Sequence, residues 1–109
     1  MKAILIKVDC QPEIIETNGT LAELSAAVGG YIEIVSLSED AHAYVNEEGK
    51  LLGLPINDAA TAIFQRNNGP VDVICGNMII LGSFADDGEY DGEEHDVPAR
   101  IIVALCQEA

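Results

Sequence analysis

The stretch from Asn18 to Val35, NGTLAELSAAVGGYIEIV, constrains the fold more than any other. It writes a helix and a strand back to back. Thr20 and Glu23 stand in the T-x-x-E spacing of a capping box, in which hydroxyl and carboxylate answer the free N–H groups of a helix start. Leu21, Leu24 and Val28 then fall on one face, and Gly29-Gly30 supplies a left-handed stop. The spacing predicts a helix over residues 21–28. Directly after it, Tyr31, Glu33 and Val35 alternate with Ile32 and Ile34, the two-residue period of a strand.

The rest of the chain follows the same grammar. AILIKV near the start is rich in branched residues and reads as a strand, with EIIE after Pro12 as a short second one. AHAYV reads as a strand in which Ala41, Ala43 and Val45 alternate with His42 and Tyr44. NEEGK is a tight turn, and LLGL resumes a short strand that stops at Pro55, which has no N–H for a ladder. Asn57 or Asp58 caps a second helix whose apolar stripe is Ala60, Ile63 and Phe64, and NNGP ends it. VDVICGNMIILG is either a hairpin turning at Gly76-Asn77 or one bent strand with a bulge at Gly76. The tail, VPARIIVALCQEA, is expected to be a helix with Pro98 in its first turn, a strand being the alternative. The expected fold is a single α+β domain over residues 1–109, a mostly antiparallel sheet with two or three short helices on it.

Charge narrows the function. Nineteen acidic residues face five basic ones, a net charge of −14. That field repels a polyanion, so direct nucleic-acid binding is not expected. Residues 86–96, DDGEYDGEEHD, hold seven of the acids and no Lys or Arg, and they read as an exposed, self-repelling loop. Cys10, Cys75 and Cys106 are odd in number and far apart, which argues against a disulfide framework or a structural zinc site. No apolar run approaches the ~20 residues of a membrane span, and MKAILIKVD lacks the long apolar core of an export signal. A cytoplasmic location is the expectation.

Chemistry-bearing patterns are few. Asp87, Glu89 and Asp91, with Gly92, follow the opening count of a calcium-binding loop, but Pro98 stands where that loop needs a bidentate Glu. They are weak metal candidates, and neither a metal nor a cofactor is expected. Cys75 with His42 or His95 lacks the spacing of a nucleophile and its base, no G-x-S-x-G elbow or phosphate-binding Gly motif exists, and no catalytic residue is expected. The polar alternation is more suggestive. If the two strands at residues 31–37 and 41–45 pair, then Tyr31, Glu33, His42 and Tyr44 form one outward patch. Two of the chain's five aromatic residues fall there, and rings with polar ends suit recognition.

The blocks GGYIEIV, VNEEGKLLGLPINDAAT and DVICGNMIILG, with the MKAILI start, resemble the signature of a family of small proteins of unknown function. That family is encoded mainly by bacteriophages, plasmids and other mobile elements of bacteria. The resemblance covers about residues 29–82, and the acidic segment and the tail depart from it. It implies a context and no activity: an accessory protein in the cytoplasm of a bacterial host. Carried over by position, its motif residues are Gly30, Tyr31, Glu33, Asn46, Gly49, Pro55, Asn57, Ala60, Thr61, Gly76 and Asn77. Several suit purely structural tasks: Gly49 and Gly76 in turns, Pro55 at a strand end, Asn57 at a cap.

Three functional expectations follow. The first is a non-enzymatic protein that binds a host protein or a small molecule, with Tyr31, Glu33, His42, Tyr44, Asn46, Asn57, Thr61 and Asn77 as contact residues. The second is an acidic nucleic-acid mimic directed at a DNA-binding host protein. The third is a small hydrolase. A homo-oligomer that pairs through the edge of residues 71–82 stays open.

Overall fold

The computed structural model describes residues 1–70, 72–84, 89 and 91–106. Five strands form one antiparallel sheet: β1 (Lys2–Ile6), β2 (Glu13–Glu16), β3 (Ile32–Ser38), β4 (Ala41–Asn46) and β5 (Met78–Gly82), in the spatial order β2-β1-β5-β4-β3. Three helices complete the α+β fold: α1 (Leu21–Val28), α2 (Asp58–Asn68) and α3 (Ala99–Cys106).

Both faces of the sheet are covered. Leu24 and Val28 of α1 pack on Ala3, Leu5, Ile79 and Leu81. On the opposite face, Ala60 of α2 and Ile102 of α3 close over Ile4, Ile6, Ala43 and Ile80. The middle strand β5 is buried along its whole length for this reason, and it reads in sequence as an unbroken apolar run rather than an alternation.

Helix α1 has the predicted bounds. Thr20 Oγ1 accepts from Glu23 N at 3.3 Å, and Gly29 closes the helix at φ 81°. The reciprocal half of the capping box takes a different partner. Glu23 Oε1 accepts from Thr17 Oγ1 at 2.7 Å and from Asn18 N at 2.9 Å, while Thr20 N donates to Asn18 Oδ1. The Thr17 hydroxyl, and after it the Asn18 N–H, hold the Glu23 carboxyl below its ordinary value.

Two strand expectations are corrected. LLGL is a run of turns, closed by Leu52 N to Glu48 O, Gly53 N to Lys50 O and Leu54 N to Gly49 O. Two glycines in five residues let the chain coil there. Residues 72–77 form no hairpin strand. Cys75 makes one bridge to Ile56, Gly76 turns at φ 93°, and only Met78–Gly82 enters the sheet. Because β5 lies between β1 and β4, both edges of Met78–Gly82 are occupied within the sheet. The tail is helical over Ala99–Cys106, as expected. The thiols of Cys10, Cys75 and Cys106 are free, Cys10 on the surface and the other two half-buried, and burial pushes the Cys106 thiol up. Among the described residues no helix is long and apolar enough to cross a membrane.

Candidate functional site

The register between β3 and β4 decides which polar side chains meet. Ile34 stands opposite Tyr44, Ser36 opposite His42, and Glu33 opposite Val45. Tyr44 lies on the α1 face and Val45 on the face of α2 and α3. Glu33 is therefore across the sheet from His42 and Tyr44, and the expected patch of four does not form. Tyr31, just before β3, is 72% exposed, and its carbonyl accepts from Glu47 N. The structure keeps only the pair His42–Tyr44 together, their rings edge to face with centroids 5.4 Å apart.

That pair gains partners the sequence did not suggest. His42 Nδ1 lies 2.7 Å from Ser83 Oγ, and Nε2 lies 2.7 Å from Glu94 Oε1. The Tyr44 hydroxyl donates to the other oxygen of Glu94. An ionised carboxylate only accepts, so Nε2 carries a proton and, in the neutral ring, Nδ1 receives the Ser83 hydroxyl. The side chains of His42 and Glu94 are only 13% and 22% exposed.

Glu94 reaches this place through Gly82. Gly82 and His95 exchange backbone hydrogen bonds, and Val97 N donates to Lys2 O, so residues 95–97 lie against β5 and the start of β1. A Cβ at position 82 would sit 2.1 Å from Asp96 O. Only glycine admits the segment this closely. Ser83 follows Leu81 by two residues and so shares its face, over β4. Its N–H donates to Asp40 O.

These residues floor an open cleft of about 550 Å³, with Ile34, Ser36 and Phe84 among its walls and Glu39 and Glu93 at its acidic margin. Beside it, burial raises the Asp40 carboxyl, but the Ser38 hydroxyl and Arg100 outweigh that and hold it below its ordinary value. Chemically, the cleft offers apolar contact on Ile34, Phe84 and the Tyr44 ring, and polar contact on Ser83, His42 and Glu94. A nucleophile–base–carboxylate chain runs from Ser83 through His42 to Glu94. Two neighbouring amides are engaged elsewhere, since Ser83 N serves Asp40 O and Gly82 N serves His95 O. Neither is free to stabilise an oxyanion.

The other predicted contact residues hold the scaffold. Asn46 is buried, donates to Val28 O at 3.2 Å and accepts from Glu48 N at 2.8 Å. Asn57 is 1% exposed. Its Oδ1 caps α2 at Ala60 N, and its Nδ2 donates to Ile6 O and Gly76 O at 2.9 Å each. Thr61 Oγ1 accepts from Ile74 N, and Asn77 spans from Val8 N to Ala27 O. Their polar atoms are engaged inside the fold, away from the cleft.

Of the weak metal candidates, Asp87 lies outside the described residues. Glu89 is exposed, and the Asp91 carboxylate is engaged by His95 and by Glu93 N, the His95 contact being the larger cause of its lowered pKa. Among the described residues no three or more His, Cys, Asp or Glu side chains converge to hold a metal ion. Within the acidic segment Glu94 departs from the expected solvated loop, since its carboxylate is half-buried against His42 and Tyr44. Nothing in the sequence marks Glu94 among its six acidic neighbours. The one available signal is Gly82, a glycine closing an otherwise apolar strand.

Residues 1–101 match the family model of DUF3846, described as a domain of unknown function. The match runs past residue 82, through the acidic segment and into α3. No curated protein and no solved structure matches the chain.

Proposed function

The chain belongs to this family of unknown function, and from its geometry we propose that it is a binding protein without turnover whose site is the cleft over His42, Tyr44, Ser83 and Glu94. One observation carries the reading. The polar floor of the cleft is a closed hydrogen-bond chain, Ser83 to His42 to Glu94 to Tyr44, beside exposed apolar surface. Such a network holds recognition groups in fixed positions without ordering costs at the moment of binding. The acidic margin favours a neutral or cationic ligand that carries an apolar portion. As an accessory protein of a bacterial mobile element, it would act on a host protein or host small molecule in the cytoplasm. That context rests on the resemblance of its three sequence blocks.

The test is native mass spectrometry of protein purified from carrier cells. A bound species should be present, and Tyr44→Phe or Glu94→Gln should reduce it. Retention at full occupancy in both variants would exclude the cleft.

A second reading, a small hydrolase, is favoured by the Ser83–His42–Glu94 chain with 2.7 Å contacts on both sides of the imidazole. The engagement of the Ser83 and Gly82 amides by Asp40 O and His95 O opposes it. A fluorophosphonate probe decides between them: a covalent adduct on Ser83, absent in Ser83→Ala, would replace the binding reading with an enzymatic one.

A further inference from the structure

Strand β3 is one of the two edges of the sheet, β2 being the other, and a cleft lies on each side of it. On the α1 face, Ile34 and Ser36 wall the cleft already described. On the other face, Glu33 and Val35 wall a second groove of about 410 Å³, bounded by Leu51, Phe64 and Val73. Among the described residues, no hydrogen bond occupies the outer backbone groups of Ile32 and Ile34. Tyr31 O accepts from Glu47 N, so residues 31, 33 and 35 turn their backbone groups toward β4. The alternation of an antiparallel ladder then turns the N–H and C=O of Ile32 and Ile34, and the N–H of Ser36, outward. The far end of this window is closed, because Asn67 and Asn68 of α2 both donate to Ser36 O. Ile34 is 60% exposed although it sits mid-strand.

From this placement we infer that β3 takes an added strand from another protein: an extended segment whose alternate side chains are basic and apolar. This rests on the binding reading above and names its partner. Main-chain bonds to Ile32 and Ile34 supply affinity, and alternate side chains fall into the two grooves and supply specificity. Charge selects the occupant. The two grooves carry the acids Glu39, Glu93 and Glu94 on one side and Glu33, Glu47 and Asp72 on the other. Lys50, the one Lys or Arg among their lining residues, is held by Asp72. A second copy of this chain is a poor occupant, because it brings its own charge of −14 to the same acidic edge.

The probe is a pool of acetylated, amidated octapeptides alternating Lys with Val or Leu, added to the full chain at low salt. Amide spectra should shift most at Ile32, Ile34 and Ser36, and these amides should gain protection from exchange. Methylating the peptide nitrogens that face β3 should weaken binding by about tenfold or more, as loss of one or more hydrogen bonds requires. Methylating the opposite set should not. Ile34→Pro removes an outward N–H and no bond to β4, so it should abolish binding while the His42 and Tyr44 signals stay in place. Three results would overturn strand addition. Shifts at His42 and Glu94 without change at Ile32 and Ile34 would leave the cleft reading standing alone. Absence of any binding would remove the peptide as partner, with the mass-spectrometric test of the cleft unaffected. Self-association that shifts Ile32 and Ile34 without peptide would make a second copy the occupant.

Discussion

Removing the side chain of Asn57 should destabilise the protein by about 3 kcal/mol, and the structure shows where that figure comes from. The residue is 1% exposed. Its Oδ1 caps α2 at Ala60 N, a contact worth about 1 kcal/mol at a helix N-cap. Its Nδ2 donates to Ile6 O at the end of β1 and to Gly76 O at the turn before β5. Each of these bonds contributes about 1 kcal/mol, and more if its carbonyl is left dry. Asn57→Ala loses all three. With a urea slope of about 1.5 kcal/mol/M, the unfolding midpoint should fall by about 2 M. Asn57→Asp separates the two tasks. It keeps a capping oxygen but turns a second acceptor, with a charge, toward the Ile6 and Gly76 carbonyls. At neutral pH it should destabilise at least as much as alanine, although Asp is as good an N-cap as Asn on an exposed helix. Urea unfolding followed by circular dichroism measures both. If Asn57→Asp matched the parent chain, or Asn57→Ala cost under about 1 kcal/mol, the bridge from β1 to α2 would not be what holds this corner.

Other outcomes follow from single contacts. Gly82→Ala places a Cβ 2.1 Å from Asp96 O, so it should cost about 1–3 kcal/mol, the range for overpacking, and release Glu94 from His42, read as a changed His42 ring shift. Gly49→Ala meets Cys75 O at 2.5 Å and should lower the unfolding midpoint while leaving the His42 and Tyr44 signals unchanged. Thr17→Val should raise the Glu23 pKa toward its ordinary value in a carboxylate titration by NMR. Because the folded pKa is depressed, this contact stabilises above the unfolded carboxylate pKa and is lost as pH falls through the folded one. The parent chain should therefore lose more stability on acidification than Thr17→Val does.

Local signals carried the elements. Thr20 and Gly29 bracket α1, Asn57 caps α2 and Gly69 closes it, and the turn residues separate β3 from β4. These depend on neighbours in sequence, where chemistry is readable. The candidate site depended on a phase between strands. A shift of one residue exchanges the faces of a strand, and the usual guide, apolar side inward, failed because helices cover both faces. With Ala43 and Val45 facing α2 and α3 and Tyr44 facing α1, neither side of β4 announces itself as the outer one. The partner of His42 and Tyr44 was further from reach. Glu94 lies 52 positions beyond His42, in a run whose composition describes solvent exposure. LLGL misled for the opposite reason. Its leucines suggest a strand, while Gly49 must accept the Cys75 carbonyl against its backbone and so fixes a turn.

The central claim, that the cleft beside His42, Tyr44 and Glu94 is where this protein binds, is tested most directly by filling it. Ser36 lies on the exposed side of β3 and its side chain takes no part in the network, so Ser36→Trp blocks the cleft without disturbing its floor. Protein purified from carrier cells should carry a bound species by native mass spectrometry, and Ser36→Trp should lose it while keeping the parent's unfolding midpoint. A Ser36→Trp protein that folds normally and retains the species at full occupancy would contradict the account.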